Sequence, residues 1–337
     1  MAPHNRTTVP PTLTMNTPRF DLARFEEAHA RIVSAIHRTP MLQSRMLSDC
    51  VGAPVYLKCE NLQKTGAFKV RGALHRLLCL NDEQRARGVA TISAGNHAQA
   101  VAWAGTAAGV RSLVVMPEDA SLTKVRASRE YGAEVILHGD AKAAFQKVFE
   151  LSEERGMTFV HPFDDEEIVA GHGSCGLEIV EQVPDVHTIV VPVGGGGLSS
   201  AIATSVAAAK PGVAVWGVEP EGAPGMHRSL AMGEAIELDS VATVADGLAA
   251  PMAGVLNHAL LTAHARGVVL VSDDEIINAL SVILERTKLL VEPSGAAAVA
   301  ALIEGRIPVQ PDKPIVAILS GGNIDFGLLS TLLRSSV

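Results

Sequence analysis

The sequence predicts an α/β fold of two lobes, each a mostly parallel sheet flanked by helices. Three observations carry that prediction: short β-branched runs alternate with amphipathic or alanine-rich stretches, the alternation comes in two successive series, and glycine-rich turns stand where strand-like runs give way to helix-like ones. In the first series, strands are expected at 89–92, 112–116, 134–137 and 158–160, with helices at 97–108, 122–131 and 141–154. Gly132 and Gly156 follow two of these helices as stops. In the second series, strands are expected at 188–193, 213–218, 268–271 and 315–319, and helices at 198–209, 274–288 and 295–303. Ser272-Asp-Asp-Glu275 reads as a capping box. Between the series, His161-Pro-Phe-Asp-Asp165 is a crossing point between lobes. The expected division is a disordered Thr- and Pro-rich tail over 1–18, a small lobe over 88–160, and a large ligand-binding lobe from 19–87 and 161–337. Met15 is an alternative start, and no internal repeat is visible in the residues.

With 337 residues, 47% of them apolar and 19% charged, the chain can bury a sizeable core in two domains sharing an interface. A net charge of -8 without a cluster of Lys or Arg argues against nucleic acid and anionic membranes, and for a small-molecule ligand. Cys50, Cys59, Cys79 and Cys175 show neither a C-x-x-C pair nor metal-finger spacing, which predicts buried reduced thiols and a cytoplasmic location. No apolar run reaches membrane-spanning length, and the first residues lack the apolar core of a secretion signal.

Lys69, in Glu60-Asn-Leu-Gln-Lys-Thr-Gly-Ala-Phe-Lys-Val-Arg-Gly-Ala73, has the setting of a reactive amine. Phe68 can exclude water, Thr65-Gly66 supplies a turn, and Gly72-Ala73 let a helix start pack closely. Burial and a helix N-terminus both favour the neutral amine that attacks an aldehyde. Gly194, Gly195, Gly196 and Gly197, followed by Leu198, join an apolar strand to an alanine-rich helix, so that free amides and the positive helix end form an anion site. The same loop admits dinucleotide binding with Glu219 as the ribose acid, but Ser199 stands where that fingerprint has its third glycine. Ser93-Ala-Gly-Asn-His97 opens a helix with a hydroxyl, an amide and an imidazole, suited to a carboxylate or to simple capping. Ser320-Gly-Gly-Asn323 ends a strand with a hydroxyl able to meet a ring edge, and Glu292-Pro-Ser-Gly-Ala296 either shapes the site or starts a helix. A Schiff-base lysine, a phosphate cradle and short polar groups beside glycines together indicate pyridoxal 5'-phosphate.

These motifs, in this order, resemble those of the threonine/serine dehydratase branch of the fold type II pyridoxal phosphate enzymes, which share the tryptophan synthase β-like fold and include serine racemase. The likeness runs from about Ala23 to Phe326. The resemblance implies that Lys69 holds the cofactor as a Schiff base, Phe68 packs near its ring and Asn96 bonds its phenolic oxygen. It implies that Gly194, Gly195, Gly196, Gly197 and Leu198 bind the phosphate and that Ser320 meets the pyridine nitrogen. Ser93, Gly95, Asn96 and His97 would surround the carboxylate of an amino-acid substrate. The implied reaction is β-elimination of L-threonine or L-serine to a 2-oxo acid and ammonia. Another β-hydroxy amino acid such as 3-hydroxyaspartate, or serine racemisation, is the alternative. Where racemases of the branch carry an acid/base serine, this chain has Ala94; where metal-binding relatives place an acid six residues after the equivalent of Glu219, it has Gly225. Weak racemisation and no required metal are therefore expected. Ser174, Cys175 and residues 224–227 are expected near the pocket, the chain's end soon after Asn323 suggests the short catabolic type, and the family resemblance suggests a homodimer or homotetramer.

Overall fold

Strands form where β-branched and apolar residues cluster in the computed structural model, which describes residues 20–334; the tail expected over 1–18 lies outside the described residues. Among the described residues the strands are β1 (Met41–Gln43), β2 (Val55–Lys58), β3 (Val89–Ile92), β4 (Ser112–Met116), β5 (Glu134–Leu137), β6 (Thr158–Phe159), β7 (Thr188–Pro192), β8 (Ala214–Pro220), β9 (Gly267–Val271) and β10 (Ile315–Ile318). They make a six-stranded sheet in the order β1-β2-β10-β7-β8-β9 and a four-stranded sheet in the order β5-β4-β3-β6. Every neighbouring pair is parallel except β1 with β2. The two-lobed α/β class is as the sequence predicts, and each strand expected from residue 89 onward is present with ends shifted by at most two residues.

The two sheets repeat one topology that the residues do not reveal. In each, three consecutive strands step outward and the fourth returns to the far side of the first: β3-β4-β5 then β6, and β7-β8-β9 then β10. Chain connections therefore diverge between β3 and β6 and between β7 and β10. A crevice opens outside the carboxyl ends of parallel strands at such a switch point. Ser93 follows β3, His161 follows β6, Gly194 follows β7 and Ser320 follows β10. Three of the candidate segments and the crossing segment at His161 thus fall at the two switch points.

The central support is the buried helix Glu166–Gln182, which contains Gly171, Gly173 and Gly176. Close packing explains these glycines. A Cβ would lie 2.5 Å from the Arg71 carbonyl at Gly171, 2.2 Å from the Phe25 ring at Gly173 and 2.2 Å from the Ser205 hydroxyl at Gly176. Three neighbours therefore approach the helix at distances any larger residue would forbid. Asp165 caps its start, accepting from the amides of Glu167 and Ile168.

Against this support lies the helix Val70–Leu78, with Lys69 at its N-cap. Two residues on, Arg71 is fully buried with all five donors engaged: Nε and Nη2 on Glu60 at 2.8 Å each, Nη1 and Nη2 on Glu178 at 2.8 and 2.9 Å, and Nη1 on the Ser174 hydroxyl at 3.1 Å. Lys58 completes the cluster, donating to Glu178 at 2.6 Å, the Gln182 side chain at 2.8 Å and the Thr39 carbonyl at 3.0 Å. Two buried cations thus face two buried carboxylates. The helix that begins at Lys69 is held in place by a neutral, fully hydrogen-bonded cluster.

Candidate active site

The backbone approaching Lys69 is laid against the Ser320 turn. The Phe68 amide donates to the Ser320 carbonyl at 3.1 Å, and the Gly322 amide donates to the Gly66 carbonyl at 2.9 Å. Thr65 and Gly66 have φ of 56° and 74°, and a Cβ on Gly66 would meet the Asn323 side chain at 2.5 Å, so this turn needs its glycine. Gly72 likewise admits His172, whose ring lies edge-on to Phe68 with centroids 4.8 Å apart.

The Lys69 amine is half-buried, donates to the Pro162 carbonyl at 2.8 Å and lies 5.2 Å from the Phe68 ring centroid. Burial lowers its pKa to about 8, against the opposing pull of Glu292. Near pH 7 a far larger share of this amine is therefore neutral than at the ordinary lysine value of 10.5. Capture of an aldehyde by the unloaded protein should therefore speed up as pH rises and level off above about 8, where the proton is already gone. Stopped-flow absorbance with pyridoxal phosphate across pH measures this; a rate still climbing past the ordinary lysine range would refute the shift.

Residues 161–164 tie that amine to the glycine loop. Pro162 receives Lys69, while Phe163 packs so closely that a Cβ on Gly195 would lie 2.4 Å from its ring. The His161 imidazole accepts from the amides of Phe163 and Asp164 at 3.2 and 2.8 Å, which fixes the turn. Asn257, fully buried, donates from its amide to the Phe163 and Gly195 carbonyls at 3.0 Å each. The Gly195 carbonyl of the loop is thereby engaged. Gly196 (φ 95°) is the N-cap of the helix Gly197–Ala209 and carries no side-chain cap, so the first-turn amides, including that of Leu198, remain free to bind an anion.

On the opposite wall, Gly95 is the N-cap of the helix Asn96–Ala108, also without a side-chain cap, and Ser93 accepts from the Gly95 amide at 3.0 Å. The Asn96 amide nitrogen donates to Glu292 at 2.6 Å, and its oxygen accepts from Asn323 at 2.8 Å. One Asn96 N–H is left for the cleft. Glu292 was ambiguous in the sequence; here it is both the N-cap residue of the helix Pro293–Ile303 and the partner of Asn96. Burial, reinforced by Asp246, raises its carboxyl pKa to about 8. Ser320 lies 3.5 Å from the Ser294 carbonyl and is otherwise disposed toward the cleft end of β10. His97 is buried with Nε2 3.4 Å from the Val160 carbonyl, so its ring supports the helix start.

Other expectations need correction. Ser174 bonds the Gly171 carbonyl and Arg71, and Cys175 is fully buried in the core, so neither shapes the pocket. Not all cysteines are buried: Cys50 is exposed and Cys79 half-buried, although all four are free thiols. The Glu219 carboxylate accepts from the amides of Met226 and His227 at 2.8 Å each and is almost fully buried. It caps the helix Gly225–Met232, which removes it as a ribose ligand and with it the dinucleotide alternative. The Pro162 carbonyl and Asn257 were missed as site residues because neither carries a motif. Their roles come from long-range packing.

The chain as a whole matches known proteins. A family model described as pyridoxal-phosphate dependent enzyme matches residues 32–321. An L-threonine ammonia-lyase of Geobacter sulfurreducens is 45% identical over 310 residues, covering 92% of this chain and 77% of that protein. Among solved structures, serine racemase from Dictyostelium discoideum is 38% identical with a TM-score of 0.86, covering 91% of this chain and 99% of that one. A processed threonine deaminase from Solanum lycopersicum is 35% identical with a TM-score of 0.86, covering 94% of each chain.

Proposed function

We propose the reaction from one premise: this chain belongs to the family of pyridoxal-phosphate-dependent enzymes. It is a lyase that converts L-threonine to 2-oxobutyrate and ammonia, and L-serine to pyruvate and ammonia, by β-elimination. The observation that carries this reading is the convergence, at two matching switch points, of a Lys69 amine poised near neutrality, an uncapped glycine helix start and the Ser320 hydroxyl. These residues fit the cofactor, because each end of it finds a group of the right chemistry.

Bound pyridoxal phosphate supplies an aldehyde for amines and an electron sink for bond cleavage at Cα. The chain does the rest. The amides of Gly194, Gly195, Gly196, Gly197 and Leu198 would hold its phosphate at the uncapped helix start, Ser320 would meet its pyridine nitrogen, the remaining N–H of Asn96 would serve its phenolic oxygen and Phe68 would pack near its ring. Ser93, Gly95, Asn96 and the amide of His97 receive the substrate carboxylate at the Asn96–Ala108 helix start. Once displaced by the substrate, Lys69 is the base that takes the α-proton. Loss of the β-hydroxyl as water gives an enamine, and hydrolysis returns that water to yield the 2-oxo acid and ammonia without net oxidation. We assign residues 88–160 to a small lobe and 19–87 with 161–337 to the cofactor-binding lobe, a division supported by the membership of the two sheets. The enzyme acts in the cytoplasm as a homodimer or homotetramer, without a required divalent cation.

Serine racemisation is the second reading, favoured by the similarity to a serine racemase structure. Ala94 provides no proton donor on the substrate face opposite Lys69. A panel of L-threonine, L-serine and 3-hydroxyaspartate, assayed for 2-oxo acid and by chiral chromatography, should show elimination of the first two with little D-serine. Ala94→Ser should raise the ratio of racemisation to elimination about tenfold or more, within the usual worth of an acid/base group. Preferential turnover of 3-hydroxyaspartate, or abundant D-serine from the unmodified enzyme, would overturn the assignment.

A further inference from the structure

Away from the cleft, at the far end of the helix that starts from Lys69, three side chains of different ligand type converge. His75 and Cys79 stand one turn apart on and just after the helix Val70–Leu78, and Glu167 reaches them from the helix Glu166–Gln182. Their ligand atoms lie within 4.8 Å of one another. The Cys79 sulfur is 3.7 Å from His75 Nε2 and 3.6 Å from Glu167 Oε2, and that oxygen lies 3.5 Å from His75 Nδ1 on the other edge of the ring. With metal bonds of ordinary length, a tetrahedral zinc-like ion sets its sulfur and nitrogen or oxygen ligands roughly 3.5 Å apart. The gap between these side chains is already of that size.

The surrounding hydrogen bonds prepare each ligand. His75 Nδ1 lies 2.9 Å from the Glu167 carbonyl, which can only accept, so Nδ1 carries the proton and Nε2 keeps its lone pair. A ring nitrogen tied to a main-chain carbonyl is the usual outer support of a metal-bound histidine. Glu167 divides its oxygens, Oε1 going to Arg24 at 3.1 Å and Oε2 toward the cluster. Cys79 and Glu167 are half-buried, so the place is reached from solvent. Two cationic groups border the place: Arg31 Nη1 sits 3.1 Å from the Cys79 sulfur, and Arg24 is paired with the outer oxygen of Glu167. Arg31 is 43% exposed and its other partner is the exposed Glu27, one helical turn away, so it can swing outward.

We propose that His75, Cys79 and Glu167 form a site for a thiophilic divalent cation of the zinc class, with water as the fourth ligand and the thiol proton released on binding. A sulfur, nitrogen and oxygen set selects such ions over magnesium or calcium. The ion would clamp the helix Val70–Leu78 to the helix Glu166–Gln182. Lying ten residues, roughly 15 Å along the helix, from Lys69, it would act on stability and not on the reacting amine.

Titration of the chelator-treated holoenzyme with cobalt(II), followed by absorbance, tests the site. One ion per chain should bind with a near-ultraviolet sulfur-to-cobalt charge-transfer band and a rise in Tm. Cys79→Ser, close in size, should lose the band and the Tm rise, and Arg31→Ala should tighten binding by about tenfold by removing the competing charge. Holoenzyme that binds cobalt without the band, a Cys79→Ser protein that binds as tightly as the parent, or no binding at all would each overturn the proposal.

Discussion

Lys69→Ala yields a folded protein whose 2-oxo acid production is lower by about 10⁴-fold or more. The lysine is both the anchor for an aldehyde cofactor and the base for the α-proton, and loss of a positioned base alone accounts for about 10²–10⁴ in rate. The fold should be indifferent to the change. The amine has the Pro162 carbonyl and the Phe68 ring as neighbours, and its burial disfavours the ammonium it would rather be in water. Removing it should leave unfolding stability of the unloaded protein within about 1 kcal/mol or slightly higher, as expected where a functional group is held in a strained environment. Lys69→Arg should fail equally, because a guanidinium retains charge but does not lose its proton. Urea denaturation, the visible absorbance of bound cofactor and 2-oxo acid assays together check these outcomes. Either variant keeping the lysine-linked absorbance and turnover would remove Lys69 from the mechanism.

What could be read from the residues divides along physical lines. Strands from Val89 onward were legible because each is a run of apolar, mostly β-branched residues closed by glycine or polar residues, and the Ser272–Glu275 capping box was legible because both of its bonds are local. β1 is three residues long and β2 is four residues ending in Lys58, so neither gives an extended apolar pattern. That lysine belongs in a core strand only because Glu178 and Gln182 arrive from a helix some 120 residues later. The helix around Gly171, Gly173 and Gly176 was illegible for the same reason: its glycines answer to Arg71, Phe25 and Ser205, not to their neighbours in sequence. At the site, Lys69, the glycine loop and Ser320 were found through motifs, since their chemistry sits in short segments. Glu292 stayed ambiguous and the Pro162 carbonyl was not found, because what each does depends on which segment the fold places beside it.

The buried charge cluster should be the chain's most sensitive structural element. Arg71→Met removes five hydrogen bonds at once, leaving Glu60 with Thr39 and Glu178 with Lys58. Breaking a buried pair from one side costs about 3–5 kcal/mol, because the abandoned carboxylate stays desolvated. Glu60→Gln in that background should return part of the loss, a coupling that a sum of independent contacts would not show. The pH dependence gives a second reading of the same cause. In the parent protein burial alone would raise the Glu178 pKa, but Arg71 and Lys58 hold it below its ordinary value of 4.5. Its contribution is therefore present above that value and lost as acid protonates the folded carboxylate. Without Arg71 the burial effect is less opposed, the folded carboxyls bind protons more readily than the unfolded ones, and acidification favours the fold. The stability gap between parent and Arg71→Met should accordingly narrow between about pH 7 and about pH 5. Urea unfolding at both pH values measures it. A gap below about 1 kcal/mol would mean that the cluster does not hold the helix. A gap unchanged by acid would mean that abandoned carboxylates are not what the substitution costs.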